Sequence, residues 1–243
     1  MRLVADADVF LTSYLPSVRQ KLQVDIADVL AVNPRLVYAK GSGLGPEGDE
    51  ADTGGFDLAS YWSRGGIAYL STPDGAPWPP SMPSAAFGDL QAGLYAAGGV
   101  AAALFSRERS GAAQIVDISL LGAAVWATAP QIAATSLFDI DAIDRDTHES
   151  ANNPLVNTYR TSDNRFIALV MLESDRFWPS LVELMGRPDL ATDARFGDAA
   201  ARNANRVECI AELDAIFASR PAKEWCQLLS QQRGVWALVQ SPR

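Results

Sequence analysis

Asp89 stands where a proline-rich loop, "PPSMPSAAF", gives way to a small-residue helical pattern, "GDLQAGLYAAGGVAAALF". An aspartate at such a changeover has two uses. As an N-cap, its carboxylate accepts amide N–H groups of the first turn. The same free amides and helix dipole also hold a carboxylate in its ionised form, and an ionised carboxylate is a usable nucleophile for covalent catalysis.

The segment "KGSGLGPEG" offers a second kind of chemistry. Gly41, Gly43 and Gly45 permit a ligand to approach the backbone, but no Lys-Ser/Thr pair or helix follows as in a phosphate loop, and glycines at a strand end also simply make turns. Glu173 sits where a strand pattern passes into a helix, a place that capping or solvation explains more simply than catalysis does. The single histidine, His148, lies in an acidic run with no Ser or Cys nucleophile motif beside it, which leaves a hydrolase triad without support. Cys209 and Cys226 lack His or Cys neighbours at metal-ligand spacing, so they read as reduced thiols and no metal site is expected. The six tryptophans are scattered and read as core or interface residues.

Composition narrows the partners. The 243 residues are 48% hydrophobic and 20% charged, the make-up of an ordinary globular protein. A formal net charge of -9 is spread along the chain without a Lys/Arg-rich run, so nucleic acid and anionic membranes are not expected partners. Neither a leader pattern nor a run of 18 uncharged apolar residues is present, and the expected location is the cytoplasm.

The elements that position Asp89 begin with "ADVFLTSY", a short β-rich run, followed by a helical pattern over residues 18–33 and a second run, "RLVYAKGSG". Strand, helix, strand and glycine loop outline a parallel α/β unit. Residues 41–84 form a long irregular segment of the kind that often binds ligands, with a short helix expected around "FDLASYWSRGG". The Asp89 helix is expected to bury Leu90, Leu94, Ala97, Ala101 and Leu104 and to end at Gly111. "QIVDISLLGAAVWATAPQIAA" predicts a strand feeding a largely buried helix. The acidic run "FDIDAIDRDTHES" marks a linker, dividing the chain into residues 1–142 and 143–243. Beyond it, "LVNTYRTSDNRFIALVML" predicts a hairpin turning at residues 162–164, and the remainder reads as helical, with Ser174 and Ser219 as candidate caps and Pro221 in the first turn of the last helix.

Taken in order, "ADVFLTSYLPSV", "NPRLVYAKGSGLGPEG", "GGFDLASYWSRGGI", "FGDLQAGLYAAGGVAAALFSRERSGAAQIVDISLL" and "NTYRTSDNRFIALVMLESDRFWPSLVELMGRPDL" closely resemble the class III coenzyme A transferases, a family that includes formyl-CoA and carnitine CoA-transferases and the 2-methylacyl-CoA racemases. The resemblance implies an α/β fold, with a partial Rossmann-like CoA-binding domain followed by a smaller α+β domain, and subunits that interlock as a homodimer. It implies that Asp89 is the nucleophile. Attack on an acyl-CoA thioester would give a mixed anhydride, CoA thiolate would convert this to an aspartyl-CoA thioester, and an acceptor carboxylate would then collect the CoA. CoA enters as substrate, with no tightly bound cofactor.

By the same resemblance Lys40, Gly41, Gly43, Gly45 and Pro46 border the CoA chain, while Phe56, Asp57 and Glu173 fall at the substrate pocket. Amides at the start of the Asp89 helix are expected to stabilise the thioester oxygen. The racemases carry a Gly-His-Asp segment where this chain has Gly55, Phe56 and Asp57, and phenylalanine cannot shuttle a proton, which favours transferase over racemase. "TSYLPS" replaces the family's "ENFRPG" type of segment. The whole resembles the middle of a transferase, truncated at both ends, so an inactive remnant or one half of a split enzyme is the alternative.

Overall fold

The computed structural model describes residues 1–140 and 147–242. The chain divides into two compact units, Met1–Ile143 and Asp144–Arg243. The expected boundary at residues 142 and 143 lies outside the described residues.

In the first unit the elements are α1 (Arg2–Ala5), β1 (Val9–Thr12), α2 (Pro16–Lys21), α3 (Ile26–Val32), β2 (Val37–Ser42), a π-helical turn (Leu58–Ser63), α4 (Ile67–Ser71), α5 (Phe87–Ser110), β3 (Gln114–Ser119), α6 (Leu120–Ala127) and α7 (Ala129–Phe138). The sheet has the order β1-β2-β3 and is parallel throughout, with Val9 opposite Val37 and Val37 opposite Gln114. Strand alternation sends Val37 and Ala39 to one face, where they pack with Val116 and Ala103 of α5, while Tyr38 turns to the other face beside Val29 and Val4. The β-branched and aromatic runs read from the sequence therefore do form the parallel unit.

Three helical expectations are corrected. The pattern over residues 18–33 is two helices, because Gln23 adopts a left-handed φ of 53° and Asp25 opens α3 in a reciprocal capping box with Asp28. The leucine stripe of α5 is not its buried face: Leu90 and Leu94 are each 71% exposed, whereas Gly88, Ala92, Ala103 and Arg107 are buried. Small side chains let this helix lie close on the sheet, since a Cβ on Gly99 would come within 2.7 Å of Val116 Cγ1. The helix expected after β3 is two pieces bent by 67°, with Trp126, Leu137 and Phe138 exposed rather than buried. No single helix among the described residues is long and apolar enough to cross a membrane, although the α6–α7 pair passes that test as a bent pair by length and composition.

The second unit contains a 3-10 turn (His148–Ser150), β4 (Val156–Arg160), β5 (Phe166–Val170), α8 (Ser174–Leu184), α9 (Asp189–Thr192), α10 (Ala199–Ala204), α11 (Arg206–Phe217), α12 (Ala222–Leu229) and β6 (Trp236–Leu238). β4 and β5 form the expected hairpin, its turn closed by Asn164 at a φ of 59°. β6 adds a third antiparallel strand to β5, in a region expected to be helical. Its three residues carry too short a pattern to announce a strand and take that form by pairing.

The expected caps differ as well. Ser174 is a buried helical residue whose Oγ accepts from Arg202, Ser219 Oγ donates to the Ile216 carbonyl, and Pro221 occupies the N-cap of α12. The core is built on Tyr159 stacked against Phe217, with ring centroids 4.9 Å apart, and on the fully buried Trp178 and Trp225, each of whose indole N–H groups donates to a backbone carbonyl. Cys209 is fully buried, which pushes its thiol up to about 12 and makes it unreactive.

Candidate active site

The parallel strands of the first unit all end on one side, and there a cleft of about 540 Å3 opens between the ends of β1, β2 and β3 and the first turns of α5. In open parallel sheets, ligands bind outside the carboxyl ends of the strands. The cleft brings together Asp89, Lys40, Gly41, Gly43 and Phe56. Gly45 and Pro46 line a smaller adjoining recess of about 30 Å3 with Lys40, Gly41, Arg19 and Asp117. Residues 49 apart in sequence, Lys40 and Asp89, thus share one wall.

Glycine is required where two backbones meet. A Cβ on Gly43 would lie 2.6 Å from Gly55 Cα, and one on Gly55 would lie 2.1 Å from Ser60 Oγ, so the strand end and the loop before Phe56 touch directly and form the cleft rim. Ser60 is fully buried behind this contact, and its hydroxyl has no hydrogen-bond partner among the described residues.

Asp89 does not cap its helix. It is the third residue of α5; Ala86 occupies the N-cap with a left-handed φ of 58° and no side-chain cap. The carboxylate at the helix start belongs to Asp57, which is only 6% exposed and accepts the Gly88 N–H at 3.0 and 3.1 Å through its two oxygens. This arrangement reverses the expected electrostatics of Asp89. Withdrawal from water, and after it the negative charge of Asp57, raises the Asp89 pKa above the usual 3.8 instead of the helix amides lowering it. Two amides expected to receive a substrate oxyanion are also occupied, the Gly88 N–H by Asp57 and the Leu90 N–H by the Ala86 carbonyl at 3.0 Å.

Lys40 and Asp117 are register partners on β2 and β3, and their side chains pair at 2.6 Å. The Lys40 ammonium, 14% exposed, is therefore neutralised within the protein at the point where cleft and recess meet. Phe56 is 85% exposed at the cleft and supplies apolar surface only. Glu173 stands in the second unit before the first turn of α8, 70% exposed and paired with Arg176 at 3.2 Å. His148, also in the second unit, is hydrogen-bonded to Asp214 at 2.9 Å and to Asn157 at 3.2 Å. Among the described residues no three His, Cys, Asp or Glu side chains come together as a metal ion would require.

The sequence alone did not disclose the Asp57 contact or the pairing of Lys40 with Asp117. The quoted "GGFD" segment held the only clue, a Gly pair followed by an acid, and nothing in it says which helix that acid meets.

The family model for CoA-transferase family III matches residues 1–243. A "probable fatty acyl-CoA transferase" of Mycobacterium tuberculosis is 30% identical over 98% of the chain and 61% of its own length. An alpha-methylacyl-CoA racemase of Mus musculus is 29% identical over 93% of the chain and 58% of its own length. Among solved structures, a CAIB/BAIF family protein from Brucella suis superposes with a TM-score of 0.84 at 25% identity, covering 99% of this chain and 62% of that one. The chain thus spans about three-fifths of the length of these relatives. Matched by the family model along its whole length, the chain belongs to CoA-transferase family III.

Proposed function

We propose that the chain moves coenzyme A from an acyl-CoA thioester to a carboxylic acid, with Asp89 as the covalent nucleophile. The observation that carries this reading is the position of Asp89: its carboxyl faces an open, mostly apolar cleft, is unused in capping, and has a raised pKa. A carboxylate that is not stabilised by donors is more basic and more nucleophilic than one that is.

The Asp89 carboxylate adds to the thioester carbonyl and expels CoA thiolate, leaving a mixed anhydride. The thiolate then attacks the aspartyl carbonyl, releasing the donor acid as its carboxylate and forming an aspartyl-CoA thioester. The acceptor carboxylate attacks that carbonyl and expels thiolate, which finally takes the acceptor acyl group and returns Asp89 as a carboxylate. Each step exchanges one acyl bond for another, so no proton is consumed. CoA is a substrate here, and no bound cofactor or metal is invoked. Lys40, Gly41, Gly43, Gly45 and Pro46 would border the CoA chain as part of a Rossmann-like domain, with Gly43 held against Gly55 so that the backbone stays open to the ligand.

Phe56 in place of a histidine argues against a racemase, since proton transfer needs a titratable base there and the single histidine, His148, is engaged by Asp214 in the second unit. The exposed leucines of α5 and exposed Trp126 favour a second reading, in which this chain works within a homodimer or with a separate chain, and is inert by itself. The test is transfer from an acyl-CoA to an isotopically labelled carboxylate. Labelled acyl-CoA should form with the parent chain and not with Asp89→Asn. A folded parent chain that transfers nothing, alone or as a dimer, contradicts the transferase reading and favours the inert one.

A further inference from the structure

The cleft beside Asp89 holds, among the described residues, no free cation that would recognise an anionic acyl chain. Among its described lining residues the charged side chains are Asp89 and Lys40, and Lys40 is already paired with Asp117 at 2.6 Å. Apart from Ser13 and Ser42 the rest of the wall is apolar or glycine backbone, with Ala92, Ala96, Val116 and Ile118 facing the cleft from α5 and β3. A second carboxylate on the substrate would be desolvated there without a free cation to pair with, which costs binding, whereas each methylene laid on such a wall gains it.

One residue opens this surface. Gly93 lines the cleft one helical turn beyond Asp89, and a Cβ built on it meets no heavy atom within 4 Å. Gly88 and Gly99 on the same helix differ, because a Cβ on either would collide with Tyr61 or Val116. Packing therefore does not require glycine at position 93, although glycine inside a helix costs about 1 kcal/mol relative to alanine. The space it leaves belongs to the cleft.

We infer that the transferred acyl group is a hydrocarbon chain without a second carboxylate, its tail running from Asp89 over Gly93 and Ala96, and that the missing side chain of Gly93 sets the length accepted. This rests on the acyl-CoA reading given above. Dicarboxylic acyl groups are disfavoured by the same wall, because a site whose cation, Lys40, is already paired leaves their second carboxylate uncompensated.

The test measures the affinities of acetyl-, butanoyl-, hexanoyl-, octanoyl- and succinyl-CoA for Asp89→Asn, in which no acyl transfer occurs, with and without the added substitution Gly93→Leu. A Cβ at position 93 meets no heavy atom within 4 Å and leucine has a higher helix propensity than glycine, so the variant is expected to fold, which circular dichroism and urea unfolding check. Affinity should climb by about two- to fourfold per methylene with Gly93 present. Succinyl-CoA should bind more weakly than butanoyl-CoA, and Gly93→Leu should flatten the climb, weakening octanoyl-CoA by about tenfold relative to acetyl-CoA. A flat ladder, a preference for succinyl-CoA, or an equal slope in both proteins overturns the inference. A rising ladder in a chain that never transfers CoA would refute the transfer chemistry and leave this inference standing. Transfer with a flat ladder would do the reverse, and failure to bind any thioester would refute both.

Discussion

Replacing Gly88 by alanine tests whether the contact between Asp57 and α5 positions the nucleophile. A Cβ at this position would lie 2.1 Å from Tyr61 Cγ and 2.4 Å from Asp57 Oδ1, distances at which something must move. Tyr61 is 1% exposed and Asp57 6%, so neither has free space to retreat into. Overpacking of this kind costs about 1–3 kcal/mol. Weakening the Gly88 N–H bond to a charged acceptor adds about 1.5–3 kcal/mol, and the better helix propensity of alanine returns about 1 kcal/mol. The net expectation is a loss of about 1.5–5 kcal/mol in urea unfolding of the first unit. Because Asp89 follows Gly88 directly, displacement of the first turn should also slow modification of Asp89 by acyl-CoA, by about 10²-fold for a shift of about 1 Å. Stability within about 0.5 kcal/mol of the parent together with an unchanged Asp89 rate would refute the reasoning.

Three further outcomes follow from the described geometry. The raised folded-state pKa of Asp89 means that its contribution to stability is present below the unfolded value near 3.8 and is lost as pH rises through the folded value, so Asp89→Asn should melt higher than the parent at pH 7 and converge with it in acid; a constant difference across pH would contradict this. Ala86→Gly relieves a left-handed φ of 58° and should gain up to about 1 kcal/mol in thermal or urea unfolding, whereas a loss would show that the strain was misassigned. For His148, burial opposes the charged ring, but the Asp214 and Asn157 bonds and the Glu149 charge more than offset it and raise the pKa above 6.5. The stabilising effect is therefore complete below pH 6.5 and lost as pH rises through the raised value, so the deficit of Asp214→Asn should be larger at pH 5.5 than at pH 8.5; a deficit that grows with pH would contradict the pairing.

The strands of the first unit and the hairpin of the second were legible because their apolar runs are long enough and bounded by turn residues. α5 was legible as a helix but not in its orientation. Its evenly spaced leucines suggest a buried stripe, yet the fold buries the glycines and alanines instead, for the close approach of Gly99 to Val116 that leucine would forbid. The break at residues 22–25 depends on Gln23 entering the left-handed region, which single-residue propensities do not signal. Asp89 was identifiable by type and place, but its environment was not. The acid that replaces it as a cap, Asp57, comes from 31 residues before Gly88 and is delivered by the π-helical turn, a tertiary arrangement without a local pattern.

The most direct measurement of the central claim is peptide mapping of the chain after incubation with an acyl-CoA and trapping with hydroxylamine or borohydride. The account predicts one modified side chain, Asp89, and none in Asp89→Asn. An unmodified Asp89 in a folded chain that nevertheless transfers CoA, or trapping at a different carboxylate, would contradict it.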